Sequence, residues 1–257
     1  MKTIQLSQDS VFYGNLILIN SQHPLQHEPD EKSLVVFPSE SGQILLSKAA
    51  IPSLRRLLDA VGGQQDIQVC SGWRSGAEQE AIYQSALVEH GEEFTAKFVA
   101  KPGQSEHQTG IAVDLGIHAP KKEAVCPEFP DSGVCRAFRQ KAAAFGWVER
   151  YPAGKERITG IAHEPWHFRY VGFPHAAIIS RHSFALEEYL EYIKQFPVGG
   201  EPLEFVLNQG SIFVSFLPVK RNAPTSIEVD PRFPYSVSGN HEDGFILTEW
   251  RIPHEGR

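Results

Sequence analysis

Apolar residues recur every three to four positions in four stretches of the chain, which is the spacing of an amphipathic helix. Pro52 lies near the start of the first stretch and Gly62 follows its end, and both are common helix boundary signals. Four helices are predicted. The first begins at Ser53, the second covers Ala77 to near Gly91, the third covers Val134 to Phe145, and the fourth covers Ala185 to Phe196.

Short apolar and β-branched runs between turn residues predict strands. Before residue 198 these runs are 15–19, 34–37, 44–46, 67–70, 110–116, 147–150, 158–163 and 167–171, and residues 117–133 are predicted to form an exposed loop. After the Pro/Gly stretch at 197–200 the runs are 203–207, 212–219, 225–229, 235–237 and 245–250. The predicted class is α+β, with a small central antiparallel sheet flanked by helices, a main domain over 1–197 and a β-rich appendage over 198–257.

Composition narrows the possible partners. The chain has 257 residues, 41% of them hydrophobic, and a formal net charge of -7. An acidic chain lacks the broad basic surface of a nucleic-acid binder, so nucleic acid is not a predicted partner. No apolar run approaches the roughly 20 residues that cross a bilayer, and the first 20 residues lack a signal-peptide core. The prediction is a protein without a membrane segment that acts in the cytoplasm, with three cysteines that do not indicate a disulfide framework.

Two short segments carry a candidate metal site. The first, at residues 105–114, reads SEHQTGIAVD and contains His107 and Asp114; the second reads Glu164-Pro-Trp-His167. Two imidazoles and one carboxylate form the ligand set of a catalytic zinc site, which keeps a fourth position open. A lone His or Asp in a turn is more often a surface residue, but the joint pattern favours a metal site, with Glu164 placed to take a proton from water.

These motifs, together with SGWRSGAEQ at residues 71–79, resemble the VanY and VanXY D,D-peptidases, which are related to VanX dipeptidases and LD-carboxypeptidases. The resemblance covers roughly residues 10–185. It implies a Zn²⁺ ion on the central sheet, within the domain predicted over 1–197. The β-rich region over 198–257 matches no motif of the family, and its role is not predicted.

The resemblance also implies roles for individual residues. Zinc is expected on His107, Asp114 and His167, with Glu164 as the catalytic base and Arg74 as the group that stabilises the oxyanion. Two further family positions, Gln79 and Ser105, are expected to line the substrate, Gln79 by steadying Arg74 or the peptide and Ser105 near the carboxylate of the substrate. The alternatives are a structural salt bridge for Arg74, an exposed helix residue for Gln79 and a loop cap for Ser105.

The implied function is a zinc-dependent D,D-carboxypeptidase, and also a D,D-dipeptidase, that acts on peptidoglycan precursor peptides ending in D-Ala. Three alternatives stay open at this point: an LD-carboxypeptidase acting on tetrapeptides, a peptidoglycan endopeptidase, and a metal- or cell-wall-binding module without turnover. The oligomeric state is not indicated by the sequence.

Overall fold

The computed structural model describes residues 1–39, 42–117, 126–220 and 223–252. It combines helices with small antiparallel sheets, which confirms the predicted α+β class. The chain forms a larger unit, residues 19–185, and a smaller unit that joins residues 1–18 to the chain from residue 186 onward. Part of the predicted loop over 117–133, residues 118–125, lies outside the described residues.

The elements are numbered in chain order over the described ranges. The strands are β1 (Lys2–Leu6), β2 (Leu34–Ser39), β3 (Gly42–Ser47), β4 (Ile67–Ser71), β5 (Ala112–Ile117), β6 (Trp147–Glu149), β7 (His167–Tyr170), β8 (Leu203–Leu207), β9 (Gly210–Pro218), β10 (Thr225–Val229), β11 (Tyr235–Gly239) and β12 (Gly244–Arg251). The α-helices are α1 (Ile51–Val61), α2 (Gly76–Phe98), α3 (Gly133–Ala142), α4 (Glu156–Thr159), α5 (His175–His182) and α6 (Leu186–Ile193). Short 3₁₀ helices cover Gln8–Phe12, Glu31–Ser33, Glu106–Thr109 and Ala143–Phe145.

The larger unit is built on a four-stranded antiparallel sheet with the order β4-β5-β7-β6. Its register places Ser71 of β4 opposite Asp114 of β5, and Asp114 opposite His167 of β7. Directly opposed residues of antiparallel strands lie close enough for their side chains to interact. Residues that are far apart in sequence are therefore brought side by side by strand pairing.

A buried apolar core underlies this sheet. Helix α1 contributes Leu54 and Leu57, which are fully buried, and α3 contributes Phe138. The rings of Phe138, Phe129 and Phe168 pack edge to face, with centroids 5.0 to 5.8 Å apart. Burying an aromatic or aliphatic side chain of this size stabilises the fold by roughly 1.5–3 kcal/mol. The strands that carry the candidate site thus rest on a well-packed layer.

Helix boundaries follow the local sequence. Pro52 occupies the first turn of α1, and Gly62 ends that helix in the left-handed conformation with a φ of 66°. Helix α2 begins with a capping box in which Ser75 and Glu78 satisfy each other's backbone amides. This helix extends beyond the predicted end near Gly91, which takes a φ of 81° and breaks the helical geometry before the chain resumes a helix up to Phe98.

The strand predicted over 15–19 was wrong. The run is buried, but no ladder forms there. Instead, the amide of Leu16 donates to Ser238 Oγ at 3.0 Å and the amide of Leu18 donates to the Asn240 carbonyl at 3.3 Å. Buried amides need a partner, and here the partners are a side-chain hydroxyl on β11 and a carbonyl just after it, rather than a ladder of backbone pairs.

The strand predicted over 158–163 was also wrong. The segment ends the short helix α4, and Gly160 closes this helix with a φ of 75° while donating its amide to the carbonyl of Glu156 at 2.9 Å. The apolar residues Ile158 and Ile161 lie on either side of this turn, and their spacing of three positions is not the alternation of a strand. Helix α5 was not predicted at all.

The smaller unit contains a four-stranded sheet with the order β11-β12-β9-β8 and the antiparallel pair β1-β10. All five strands predicted after residue 200 are present with small shifts at their ends. This unit also contains β1, which pairs with β10, and α6, which packs with β9. Lys194, the residue directly after α6, binds Glu191, Glu242 and Asp243 at 2.6 to 2.9 Å.

No helix in the described ranges combines the length and the apolar character that crossing a membrane requires.

Candidate active site

Three side chains with metal-binding atoms meet at one point of the central sheet. His107 lies on the 3₁₀ helix before β5, Asp114 lies on β5, and His167 is the first residue of β7. Each residue is at most 4% exposed. One donor atom from each residue lies within 4.8 Å of the other two. These are the three ligands expected from the sequence, and the structure brings them together.

The orientation of both imidazoles is fixed by hydrogen bonds. His107 Nδ1 lies 2.7 Å from the carbonyl oxygen of Gly72, and because a carbonyl only accepts, this nitrogen carries the proton. The lone pair of His107 Nε2 then faces Asp114 Oδ2 at 3.1 Å. His167 presents Nδ1 to Asp114 Oδ1, also at 3.1 Å. Two nitrogens and a carboxylate therefore converge, which is a donor set that suits a zinc ion.

The charges around the three side chains of the donor set favour a cation between them. Burial acts to lower the pKa of His167, but the hydrogen bond to Asp114 and the nearby carboxylates of Glu106 and Glu164 outweigh it and raise that pKa to about 9. Burial acts to raise the pKa of Asp114, but the charges and hydrogen bonds of the two histidines hold that pKa well below its usual range. The carboxylates thus stabilise a cation between the side chains, as a metal-binding site requires.

Glu164 lies beside the three ligands. Its Oε2 atom is 3.7 Å from His167 Nδ1, and the residue is 5% exposed. A tight turn fixes it, because the amide of His167 donates to the Glu164 carbonyl at 3.1 Å. Burial, with a smaller contribution from the charge of Asp114, raises the pKa of Glu164 to about 8. A carboxyl group that titrates near neutral pH can both accept and donate a proton.

Arg74 follows β4 and reaches the same point. Its Nη2 atom donates to Asp114 Oδ2 at 2.9 Å and its Nε atom donates to Ser71 Oγ at 2.9 Å. The salt bridge considered as an alternative for Arg74 is therefore present in this structure. Gln79 lies next to Arg74, with Oε1 at 3.5 Å from Arg74 Nη1 and with Nε2 donating to the Ala100 carbonyl at 2.8 Å. Gln79 is 1% exposed, so it is not an exposed helix residue.

A cavity of about 100 Å³ opens over these groups. Arg74, Glu164 and the three candidate ligands all line it, together with buried Ser105, whose side chain does not cap the 3₁₀ helix that follows it. The apolar part of the wall includes side chains of α2 and of the loops after β6 and α4, among them Ile82, Phe98, Tyr151, Ile161 and Trp166. The cavity thus combines a small apolar wall with a few convergent polar groups, which is typical of a ligand site.

Sequence reasoning missed one buried ionic cluster at the site. Glu106 contacts Arg150 and Arg169 at 2.7 and 2.6 Å, and all three side chains are fully enclosed. The position of Glu106, directly before the predicted ligand His107, was the only signal in the sequence. The two arginines lie 44 and 63 residues further along the chain, so no local motif joins them to Glu106.

A buried His-Asp-His donor set beside a carboxylate and an arginine is an arrangement typical of metal-dependent hydrolases. The family model described as VanY: D-alanyl-D-alanine carboxypeptidase matches residues 43–173. Over 183 residues the chain is 40% identical to the bifunctional D-Ala-D-Ala dipeptidase and D-Ala-D-Ala carboxypeptidase VanXYC of Enterococcus gallinarum, a match that covers 71% of this chain and 96% of the relative. The chain therefore belongs to the VanY D-alanyl-D-alanine carboxypeptidase family, which confirms the predicted family and the predicted hydrolase class.

Two solved structures extend the comparison. The D,D-dipeptidase VanXYg, in complex with a D-Ala-D-Ala phosphinate analogue, superposes with a TM-score of 0.93 at 40% identity, covering 97% of this chain and 99% of that one. A mutant of the D,D-pentapeptidase VanY from a VanB-type resistance cassette, in complex with Zn(II), gives a TM-score of 0.56 at 31% identity, covering 68% of this chain and 98% of that one.

Proposed function

We propose that this protein is a zinc-dependent D,D-carboxypeptidase that removes the terminal D-Ala from peptidoglycan precursor peptides and that also splits free D-Ala-D-Ala. The observation that carries this proposal is the meeting of His107, Asp114 and His167 beside Glu164 and Arg74 in one cavity. The two activities named for the relative from Enterococcus gallinarum and the dipeptide analogue bound by VanXYg support the choice of substrate.

The metal is proposed to be zinc, held by His107 Nε2, the Asp114 carboxylate and His167 Nδ1. The Zn(II) complex of a related VanY supports this identity, and so does the mixed nitrogen and oxygen donor set. When bound, zinc supplies a Lewis acid that polarises the scissile carbonyl and brings the pKa of water towards about 7.

Glu164 is proposed as the general base. Its buried carboxyl group lies at the ligand cluster and within the cavity wall, where it can take the proton of the attacking water. The same carboxyl group then returns a proton to the leaving amine of D-Ala. Burial disfavours the ionised form and raises the pKa of this carboxyl group, which makes the carboxylate a stronger base.

Arg74 is proposed to stabilise the oxyanion of the tetrahedral intermediate. Its guanidinium group lines the cavity and is held by Ser71 and by Asp114, so its charge is in place before the reaction. A fixed cation in a site shielded from water stabilises charge that develops in the transition state more than it stabilises the substrate. Gln79 supports the guanidinium group from the side of α2.

Ser105 is proposed to bind near the C-terminal carboxylate of the substrate, because it lines the cavity without capping the backbone. The small volume of the cavity favours a single short residue beyond the scissile bond. This geometry suits removal of a terminal D-Ala better than cleavage within a cross-linked wall. The cytoplasm stays the predicted place of action.

A product analysis tests this proposal. The zinc-loaded full chain should release D-Ala from UDP-muramyl pentapeptide and from D-Ala-D-Ala, should leave the L,D bond of the tetrapeptide uncut, and should lose activity when a chelator removes the metal. A pentapeptide that ends in L-Ala serves as the matched control and should not be cleaved.

Other outcomes identify the alternatives. Release of D-Ala from the tetrapeptide alone would assign an LD-carboxypeptidase, and a fall in turbidity of isolated cell walls would assign an endopeptidase. Zinc binding without release from any of these substrates would contradict the proposal and indicate a binding module.

A further inference from the structure

Two buried polar atoms face each other behind the candidate metal site. They are His167 Nε2 and Glu106 Oε2, which lie 3.6 Å apart. Over the described part of the chain, neither atom has a hydrogen-bond partner within the usual distance. A buried polar atom left without a partner costs free energy, so a small approach that completes this hydrogen bond is favoured.

The two ring nitrogens of His167 face opposite directions, and only Nε2 faces Glu106. Its Nδ1 atom faces Asp114 Oδ1 at 3.1 Å and Glu164 Oε2 at 3.7 Å, which is the side of the donor set. Its Nε2 atom points away from that set, towards Glu106. An Nε2 proton directed at Glu106 therefore leaves the lone pair of Nδ1 facing the metal position.

Glu106 is itself held in place. Its Oε1 atom accepts hydrogen bonds from Arg150 Nε at 2.7 Å and from Arg169 Nη1 at 2.6 Å. Burial disfavours the ionised carboxylate, but the charges of the two arginines outweigh burial and keep the pKa of Glu106 well below its usual range. Since both arginines bind the same oxygen, the other oxygen remains directed at His167.

Stability alone is a weak explanation for this cluster, because the cost of desolvating a buried ion pair often exceeds its attraction. Its three members come from the 3₁₀ helix at 106–109, from the residue after β6 and from β7. The cluster therefore joins the segment that carries His107 to the strand that carries His167.

We propose that Glu106 is a positioning residue that accepts a hydrogen bond from His167 Nε2–H and so fixes the tautomer and the orientation of this metal ligand. Arg150 and Arg169 hold the carboxylate for this task. The inference rests on the metal site of the proposed function and adds to it a residue that does not touch the substrate. Partners of this kind typically change metal affinity by about 10- to 100-fold.

Zinc binding to the full chain tests the inference without an activity assay. The dissociation constant for Zn²⁺ alone is measured by competition with a chelator in the unmodified protein, in Glu106→Gln, in His167→Ala and in the double variant. Glu106→Gln should weaken binding by about 10- to 100-fold. In the His167→Ala background the same change should have little further effect, because the ligand on which Glu106 acts is gone.

Equal zinc affinity of the unmodified protein and Glu106→Gln would overturn the inference, and so would the same fold loss in both backgrounds. Glu93→Gln is the matched control, since Glu93 forms an exposed ion pair with Lys97 at 2.7 Å, and it should leave the affinity unchanged. Failure of the unmodified protein to bind zinc would instead contradict the proposed function.

A second measurement covers the case in which Glu106→Gln does not fold. In the ¹⁵N-labelled, zinc-loaded, unmodified protein, His167 should carry its proton on Nε2, and this proton should exchange slowly and resonate downfield of a free imidazole. A rapidly exchanging Nε2 proton, or a proton on Nδ1, would overturn the inference.

Discussion

Replacing Glu164 with glutamine should lower kcat for release of D-Ala by about 10²- to 10⁴-fold, which is the usual contribution of a positioned general acid or base. Glutamine keeps the size of the buried side chain but cannot take a proton from water. Zinc affinity should change far less than kcat, because Glu164 is proposed to act on water and on the leaving amine. The measurement is steady-state release of D-Ala from the pentapeptide, together with zinc competition on the same preparation.

Glu149→Gln provides a matched control for Glu164. Glu149 also faces a histidine, since its Oε1 atom lies 3.0 Å from His163 Nε2, but it does not line the cavity. This variant should retain most of the activity. Full activity in Glu164→Gln would remove Glu164 from the mechanism and would require another base.

Replacing Arg74 with methionine should lower kcat by roughly 10²- to 10³-fold, as the loss of one oxyanion donor does in other hydrolases. KM should change less than kcat, because the charge that Arg74 stabilises exists mainly in the transition state. Arg74→Lys should recover part of the rate, since a lysine keeps the charge but loses the planar fork of donors. Both variants are compared by kcat and KM on the pentapeptide at saturating zinc.

The salt bridge between Arg74 and Asp114 makes a structural role the competing explanation. A structural role predicts lower stability or weaker zinc binding with kcat unchanged once zinc is saturating, and that result would contradict the catalytic assignment. Arg136→Met is the control, because Arg136 forms an exposed ion pair with Asp131 at 3.3 Å, away from the cavity, and should leave all three quantities unchanged.

The positions of the candidate ligands were predictable because their motif is local. Only a short helical turn and the start of β5 separate His107 from Asp114, and so short a segment restricts how far apart the two residues can lie. The third candidate ligand, His167, followed from the joint pattern of the two segments and from the family resemblance. The position of His167 is set by the strand register that places it opposite Asp114, and this register exists only in the folded sheet.

The environment of the site was less predictable, because it depends on long-range contacts. The buried side-chain amide of Gln79 donates to the Ala100 carbonyl, 21 residues away. The cluster around Glu106 needs Arg150 and Arg169, which lie on or beside other strands. Side-chain patterns report periodicity within one element, and they carry no information about which distant charges an element will meet.

The errors in the predicted elements have a related cause. An apolar run such as 15–19 indicates burial, but burial by itself does not decide whether the backbone joins a sheet. Gly160 and Gly91 each take a positive φ, and each changes the path of the chain. Such positions are compatible with several local structures, and packing selects among them.

The most direct test of the metal site is anomalous diffraction at the zinc edge from crystals of the zinc-loaded full chain. We predict one strong anomalous peak per chain, from a zinc ion bonded to His107 Nε2, the Asp114 carboxylate and His167 Nδ1. A chain that binds no zinc, or a peak away from these three side chains, would contradict the proposal that they form a catalytic metal site.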